Sequence, residues 1–334
     1  MIYKLYITQF NHYAKITLRK GVFDMKKIIS VILSIVLILS MAVTAFAITQ
    51  TPYDDSQFFD YKGYTIHYRE WKAEDQKGQI IFLHGFAHTT YCWHNMAEKL
   101  VAEGYTCVLV DLPNFGYSSR DTMEMERLPR EEIVHALMVY LSDEPWYVAG
   151  HSMGGFVAES VYDKYPDSVN NLLLYGTSGN INTPEMSEFA GNPKLIKLLV
   201  PLLKRLAKRQ NVIDKIIKVA VKFCFFDNEY FATYDYSEIV NSFIRPGTGE
   251  GIFYSFSMLT DTNYEAIKNG PPVLYINGSK DMVIKKSAVQ TLIDNLPENS
   301  EYHIVEGGGH LFIENYADEA ADLTLSFLEK NPGK

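Results

Sequence analysis

Residues 146–165 read WYVAGHSMGGFVAESVYDKY, and this stretch decides the fold. WYVA has the length and the aromatic and β-branched content of a short buried strand, and FVAESVYDKY follows as a helix. Between them stands Gly150-His151-Ser152-Met153-Gly154-Gly155, which contains G-x-S-x-G. A serine raised on a sharp strand-to-helix turn needs neighbours without bulk. Gly150 and Gly154 meet that need, and Gly155 lets the helix lie close to the sheet. The turn holds the Ser152 hydroxyl at the sheet edge, and the helix start behind it offers amide donors and a positive dipole end. A glycine-rich turn with an incidental serine is the plainer alternative, and it gives no reason for the strand and helix on either side.

A serine hydroxyl is a weak nucleophile and requires a base. His310 stands in EGGGHL at 306–311, directly after the strand-like EYHIV, on a loop whose three glycines let the imidazole reach across. A basic histidine needs an acceptor that fixes its tautomer and steadies the imidazolium. Asp281 ends NGSKD at 277–281, just past the strand-like PVLYI. Glu306, close to His310 in sequence, is a weaker substitute for Asp281. Acyl transfer also needs donors for an oxyanion. One is expected from the Met153 amide, after the nucleophile, and a second from Phe86 in the loop opened by His84-Gly85. Among the other histidines, His84 is expected to bond loop backbone and His151 to order the turn. His88 and His94 are a polar rim at most, and Asp111 is a loop anchor.

Outward from the turn, short apolar runs alternate with helical patterns: 79–83, 106–112, 146–149, 171–175, 272–276 and 301–305 against helices at 93–101, 131–141, 154–165, 286–295 and 317–329. Residues 64–71 alternate and read as an antiparallel edge strand of a strand pair. The whole predicts an α/β fold, a mostly parallel sheet with helices on both faces. The alternation breaks once, over 178–267, where helical patterns occur without a strand. That block reads as a helical cap inserted over the carboxyl edge of the sheet, between two parts of a core at 48–177 and 268–334.

With these pieces assembled, the chain resembles the α/β-hydrolase family. The resemblance rests on HGF at 84–86, DLPNFGYS at 111–118, GHSMGG at 150–155, GSKD at 278–281 and GGGH at 307–310, in that order. It spans residues from about 58 to 330. It implies the triad Ser152, Asp281 and His310, whose chain order is that of the family. Asn114 departs from the glycine that such proteins often carry. The GHSMGG turn is similar to those of esterases, monoacylglycerol lipases and lysophospholipases. Other chemistries on the same scaffold, amide and carbon–carbon bond hydrolysis among them, stay open, as does a binding protein that kept the fold.

The N-terminus reads differently. Lys26 and Lys27 precede an uncharged apolar run, and Ala45-Phe46-Ala47 is a small-x-small site, so 25–47 is expected to be a secretory signal with the mature chain starting at Ile48. An uncleaved membrane anchor is the alternative. Residues 1–24 read as an upstream extension of the true start.

A net charge of −9 argues against nucleic-acid binding. Neither CxxC, HExxH nor a P-loop occurs, and no metal or organic cofactor is implied. Three widely spaced cysteines make no disulfide framework. Residues 194–222 carry nine Lys or Arg and one acid, Asp214, among regularly spaced Leu, Ile and Val. Two readings stay open: a basic amphipathic cap that contacts an anionic membrane, and an ordinary cap helix with its apolar face on the core. The expected substrate is a small-molecule or lipid ester.

Overall fold

The computed structural model describes residues 52–122, 124–179, 210–257 and 262–333. The export signal read at 25–47, the extension before it, and the basic residues Lys204, Arg205, Lys208 and Arg209 lie outside the described residues.

Eight strands form one sheet: β1 (Ser56–Tyr61), β2 (Tyr64–Trp71), β3 (Gly78–Leu83), β4 (Tyr105–Val110), β5 (Trp146–His151), β6 (Val169–Tyr175), β7 (Val273–Gly278) and β8 (Glu301–Val305). Their order is β1-β2-β4-β3-β5-β6-β7-β8. The first two strands pair antiparallel, β2 meets β4 antiparallel, and every later pairing is parallel. The edge expected for 64–71 belongs instead to β1, which pairs with it from Ser56↔Arg69 to Tyr61↔Tyr64. Strands β4 to β7 are buried along their whole length, and β3 after its first residue, because helices cover both faces; hence they read as apolar runs rather than alternating ones.

Helices α1 (His94–Ala102), α2 (Arg130–Leu141) and α3 (Met153–Lys164) fill the connections of the first half. Between β6 and β7 the described residues form α4 (Gln210–Phe225), α5 (Asn228–Thr233), α6 (Ser237–Phe243), α7 (Thr248–Ser257) and α8 (Tyr264–Lys268), with no strand among them. Helices α9 (Lys286–Ile293), α10 (Phe312–Asn315) and α11 (Ala317–Lys330) complete the chain. One core joins Leu137 of α2, Val157 of α3 and Val148 of β5 with Ile217, Val221, Phe225 and Phe243 of the inserted helices. The other lies between Met96 and Leu100 of α1, Phe327 and Leu328 of α11, and the opposite face of the strands. A fully buried side chain such as Phe225 contributes roughly 2–3 kcal/mol relative to exposure, so the insertion is part of the fold's stability.

Strand β3 pairs on one side with β4 and on the other with β5, with Leu83 beside both Val110 and Gly150. The chain therefore leaves β3 in one direction and resumes at β5 in the other. At such a reversal the loops after adjacent strands part and open a crevice at their carboxyl ends. Those loops are the one that starts His84-Gly85-Phe86 and the turn at Ser152.

Candidate active site

Ser152 stands between β5 and α3 with φ 50° and ψ −116°. A non-glycine residue rarely takes a positive φ, and this strain persists only where the surroundings enforce it. A Cβ on Gly150 would lie 2.3 Å from the carbonyl oxygen of Gly154, and one on Gly154 would lie 2.0 Å from that of Leu83. A Cβ on Gly155 would press on Thr177. The three glycines are thus sterically required. Ser152 donates its amide to Tyr175 O at 2.9 Å, which pins the turn to β6. Met153 opens α3, so its amide has no intrahelical partner and faces out from the helix start.

Asp281 and His310 come from neighbouring loops. Asp281 Oδ2 lies 2.8 Å from His310 Nδ1. Asp281 Oδ1 accepts the amides of Val283 at 2.7 Å and Ile284 at 3.1 Å, so both carboxylate oxygens are fixed. A carboxylate only accepts; His310 therefore carries its proton on Nδ1 and keeps Nε2 as the basic nitrogen. The two loops are laced by Lys280 N–H to Gly308 O at 2.9 Å and Ser279 N–H to Val305 O at 3.0 Å. Glu306 is exposed and takes no part in this pairing.

His151, read as a residue that orders the turn, bonds instead to the loop of His310. Its Nε2–H donates to His310 O at 2.8 Å, and the two rings lie 4.7 Å apart. Burial holds its pKa well below the usual histidine range, so it stays neutral. The residue before Ser152 thereby positions the loop of His310. The inserted helices hold that loop from the far side: Leu311 N–H donates to Cys224 O at 3.1 Å, and Gly309 packs on the carbonyls of Cys224 and Phe225.

The Phe86 loop is equally constrained. A Cβ on Gly85 would sit 3.1 Å from Cβ of Ser152, so this backbone lies against the serine. His84 donates from Nδ1 to Gly85 O at 2.7 Å and accepts the Leu112 amide on Nε2 at 3.0 Å. Both bonds demand the neutral ring, and burial pushes its pKa down to about 4. With Gly85 O turned to His84 in a trans peptide, the Phe86 amide points the opposite way.

The remaining polar residues sort themselves. Asp111 is a buried loop anchor. It accepts from Thr90 N–H at 2.7 Å and Tyr117 N–H at 2.8 Å, and its Oδ2 meets His67 Nδ1 at 2.7 Å. Burial raises its pKa, but these bonds outweigh burial and hold it at about 2. The other nitrogen of His67 lies 2.9 Å from Ser56 Oγ. Asn114 has φ 80°, which explains why glycine suits the position and why asparagine, tolerant of left-handed backbone, replaces it. His94 packs edge-on to Trp71. His88 is buried rather than on a rim, and its Nε2 meets Glu314 Oε1 at 2.9 Å. Sequence reading missed both Glu314 and the Ser56–His67 contact. The only available hint was that Glu314 follows His310 by four residues, one helical turn.

Residues 78–316 match the model of the alpha/beta hydrolase fold family. An abhydrolase domain-containing protein of Caenorhabditis elegans, abhd-5.2, is 26% identical over 272 residues, covering 76% of this chain and 59% of that protein. The chain thus spans about three fifths of that relative's length. A 2-hydroxy-6-oxononadienedioate/2-hydroxy-6-oxononatrienedioate hydrolase of Dechloromonas aromatica is 29% identical over 260 residues, covering 75% and 86%. Among solved structures, a thermophilic esterase from Thermogutta terrifontis superposes with a TM-score of 0.64 at 17% identity, over 80% of this chain and 94% of that one, a likeness of fold.

Proposed function

The chain belongs to the α/β-hydrolase fold family, and on that premise we propose that it is a serine hydrolase that cleaves carboxylic esters, of lipid-like monoacyl type, through an acyl-enzyme. The observation that carries the reading is Ser152 on a strained turn at the sheet's crevice, with His310 Nδ1 bonded to Asp281 at 2.8 Å in the adjoining loops. His310 Nε2 takes the proton of Ser152 Oγ as that oxygen attacks the ester carbonyl. The amides of Met153 and Phe86 receive the charge that develops on the carbonyl oxygen. The carbonyl re-forms, the alcohol leaves with the proton from His310, and water repeats the cycle to release the acid.

The lipid-like substrate rests on the insertion and the N-terminus. An exported chain meets exogenous esters and lipids, and 25–47 has the pattern of an export signal. Residues 194–222 are a basic stretch in an acidic protein and are rich in apolar positions. Lys215, Lys218 and Lys222 of α4 are exposed beside the exposed Val219, a face suited to an anionic membrane surface. Each buried methylene of an acyl chain adds about 0.8 kcal/mol, about fourfold in binding, so an apolar channel discriminates by length. The test is a series of esters from acetate to palmitate, with and without anionic vesicles, on protein starting at Ile48. Rising kcat/KM with chain length and salt-sensitive vesicle activation support the reading. Acetate as the best substrate, with no vesicle effect, replaces it with a small-ester esterase. The likeness to the Dechloromonas hydrolase favours a second reading, carbon–carbon bond hydrolysis of a hydroxy-oxo dioate, and such a substrate belongs in the same panel.

A further inference from the structure

The loop after β3 holds a second strained residue beside the crevice. Ala87 has φ 66°, without the freedom of glycine, directly after Phe86. Something must hold it there. The next residue, His88, is fixed at every polar atom of its ring. Nδ1 accepts the Thr89 amide at 2.9 Å, which places the proton on Nε2, and Nε2 donates to Glu314 Oε1 at 2.9 Å. The His88 amide donates to Gly85 O at 3.3 Å, the same carbonyl that His84 holds. The hydroxyl oxygen of Tyr234 lies 3.4 Å from His88 Nε2, on the side of the Glu314 contact. His88 and Glu314 are both almost wholly buried, within an aromatic wall where Tyr234 meets Tyr91, Tyr230 and Phe225.

Three parts of the chain meet here. His88 belongs to the loop of the Phe86 amide, Glu314 to the helix entered from His310, and Tyr234 to the insertion. The bond between Asp281 and His310 forms without this contact. What it sets is the position of the loop after Gly85 relative to them.

We propose that His88, Glu314 and Tyr234 form a brace that positions the oxyanion loop, through a buried imidazole–carboxylate–phenol contact that enforces the left-handed backbone at Ala87. The inference rests on the acyl-transfer reading above. His88 is a positioning residue in it: its ring faces Glu314, and it acts through the Phe86 amide. Since Tyr234 comes from the insertion, the oxyanion donor is at full strength only while the insertion is seated.

The test separates oxyanion stabilisation from ground-state binding. An alkylboronic acid adds to the serine and places a charged oxygen where the oxyanion forms, so its Ki reports that donor. For His88→Ala, kcat is expected to fall about 10- to 100-fold with KM within about threefold, and the boronate Ki to weaken by the same factor as kcat/KM. Tyr234→Phe, which removes one oxygen, should lose about two- to fivefold on the same line. Glu314→Gln keeps an acceptor for Nε2–H and should retain more activity than Glu314→Ala, and the double variant His88→Ala/Glu314→Ala should be no worse than the worse single one. Unchanged kcat/KM in folded His88→Ala overturns the brace. So does a loss that appears in KM and leaves the boronate Ki in place. Should His88→Ala not fold, Tyr234→Phe decides by the same two numbers. Amide exchange of residues 85–90 gives a readout without chemistry: it should quicken in the variants. If the wild type cleaves no ester, the acyl-transfer reading fails alone, and unaltered exchange in this loop is then what overturns the brace.

Discussion

Two histidine–aspartate pairs in this protein are wired alike and sit in different worlds. His310 Nδ1 meets Asp281 Oδ2 at 2.8 Å, and His67 Nδ1 meets Asp111 Oδ2 at 2.7 Å. Each aspartate is also held by backbone amides, and the second pair even has a serine, Ser56 Oγ, at 2.9 Å from the far nitrogen of His67. By bond list alone, Ser56–His67–Asp111 is a triad. Its surroundings are not a site. Ser56 begins an antiparallel edge strand, its Oγ accepts the Tyr53 amide at 3.0 Å, and Tyr53, Phe58 and Tyr117 pack around the His67 ring. Ser152 has the opposite setting: a positive-φ turn at the mouth of the crevice, a helix start behind it and the Gly85 backbone against it. The lesson is that hydrogen-bond order orients an imidazole, whereas reactivity needs a place for the carbonyl and donors for its oxygen.

The sharpest way to break this comparison is at the two serines. Ser152→Ala is expected to lower ester hydrolysis by at least about 10³-fold and to abolish labelling by a fluorophosphonate, with the thermal midpoint unchanged. Ser56→Ala is expected to label as the wild type does and to change stability by about 1 kcal/mol or less. A fluorophosphonate adduct mapped to Ser56 would make the second arrangement a real nucleophile.

At the two aspartates the effects should exchange columns. Asp281→Asn keeps an acceptor for the Val283 and Ile284 amides but loses the charge opposite His310, so kcat should fall roughly 10²- to 10⁴-fold with little loss of stability. Asp111→Asn places an amide donor among buried donors, and urea unfolding should show a loss of about 2–4 kcal/mol, while kcat of the folded fraction stays within about tenfold. A stable but inactive Asp111→Asn protein would contradict the structural role of the second pair.

A third buried acid, Glu159, shows what burial does to a carboxylate with no histidine beside it. Among the described residues its Oε2 accepts only the Thr262 hydroxyl, at 2.6 Å, and its Oε1 has no partner; burial pushes its pKa up to about 8. The folded chain therefore keeps this proton while the unfolded chain releases it near the ordinary value of 4.5. The stabilisation is complete below that value and is lost as pH rises through about 8. Glu159→Gln should remove this slope and stabilise the protein at high pH by on the order of 2 kcal/mol. Parallel stability–pH curves for the two proteins would show that the carboxyl has found a cation.

These three acids also mark how far the sequence could be read. Asp281 was visible because it stands just past a strand, three residues after Gly278, and His310 and Ser152 have the same signature of short-range motifs after strand ends. The parallel sheet was visible because strands buried on both faces are apolar runs. His67 and Asp111 meet through the register of β2 on β4, where Tyr68 faces Val110, and Ser56 reaches them through the register of β1 on β2. No local pattern encodes such a meeting. The edge strand was misplaced for a related reason: β1 is only half-buried, and its SQFFDY offers neither an apolar run nor an alternation to read. The contact of His88 with Glu314 and Tyr234 joins residues more than a hundred positions apart, and only the folded chain displays it.

The seat of the His310 loop on the carbonyls of Cys224 and Phe225 has a consequence for exchange of parts. An engineer seeking a new substrate would cut at the strand ends that bound the segment between β6 and β7. In this chain such a graft would carry away the Cys224 carbonyl that accepts the Leu311 amide, and with it the floor under the His310 loop. A viable chimera must join within the insertion rather than at its borders, retaining the end of α4 and the stretch through Tyr234. Heredity of the scaffold and heredity of the substrate pocket therefore overlap in about one dozen residues, and recombination that treats them as separate modules will produce folded, silent proteins.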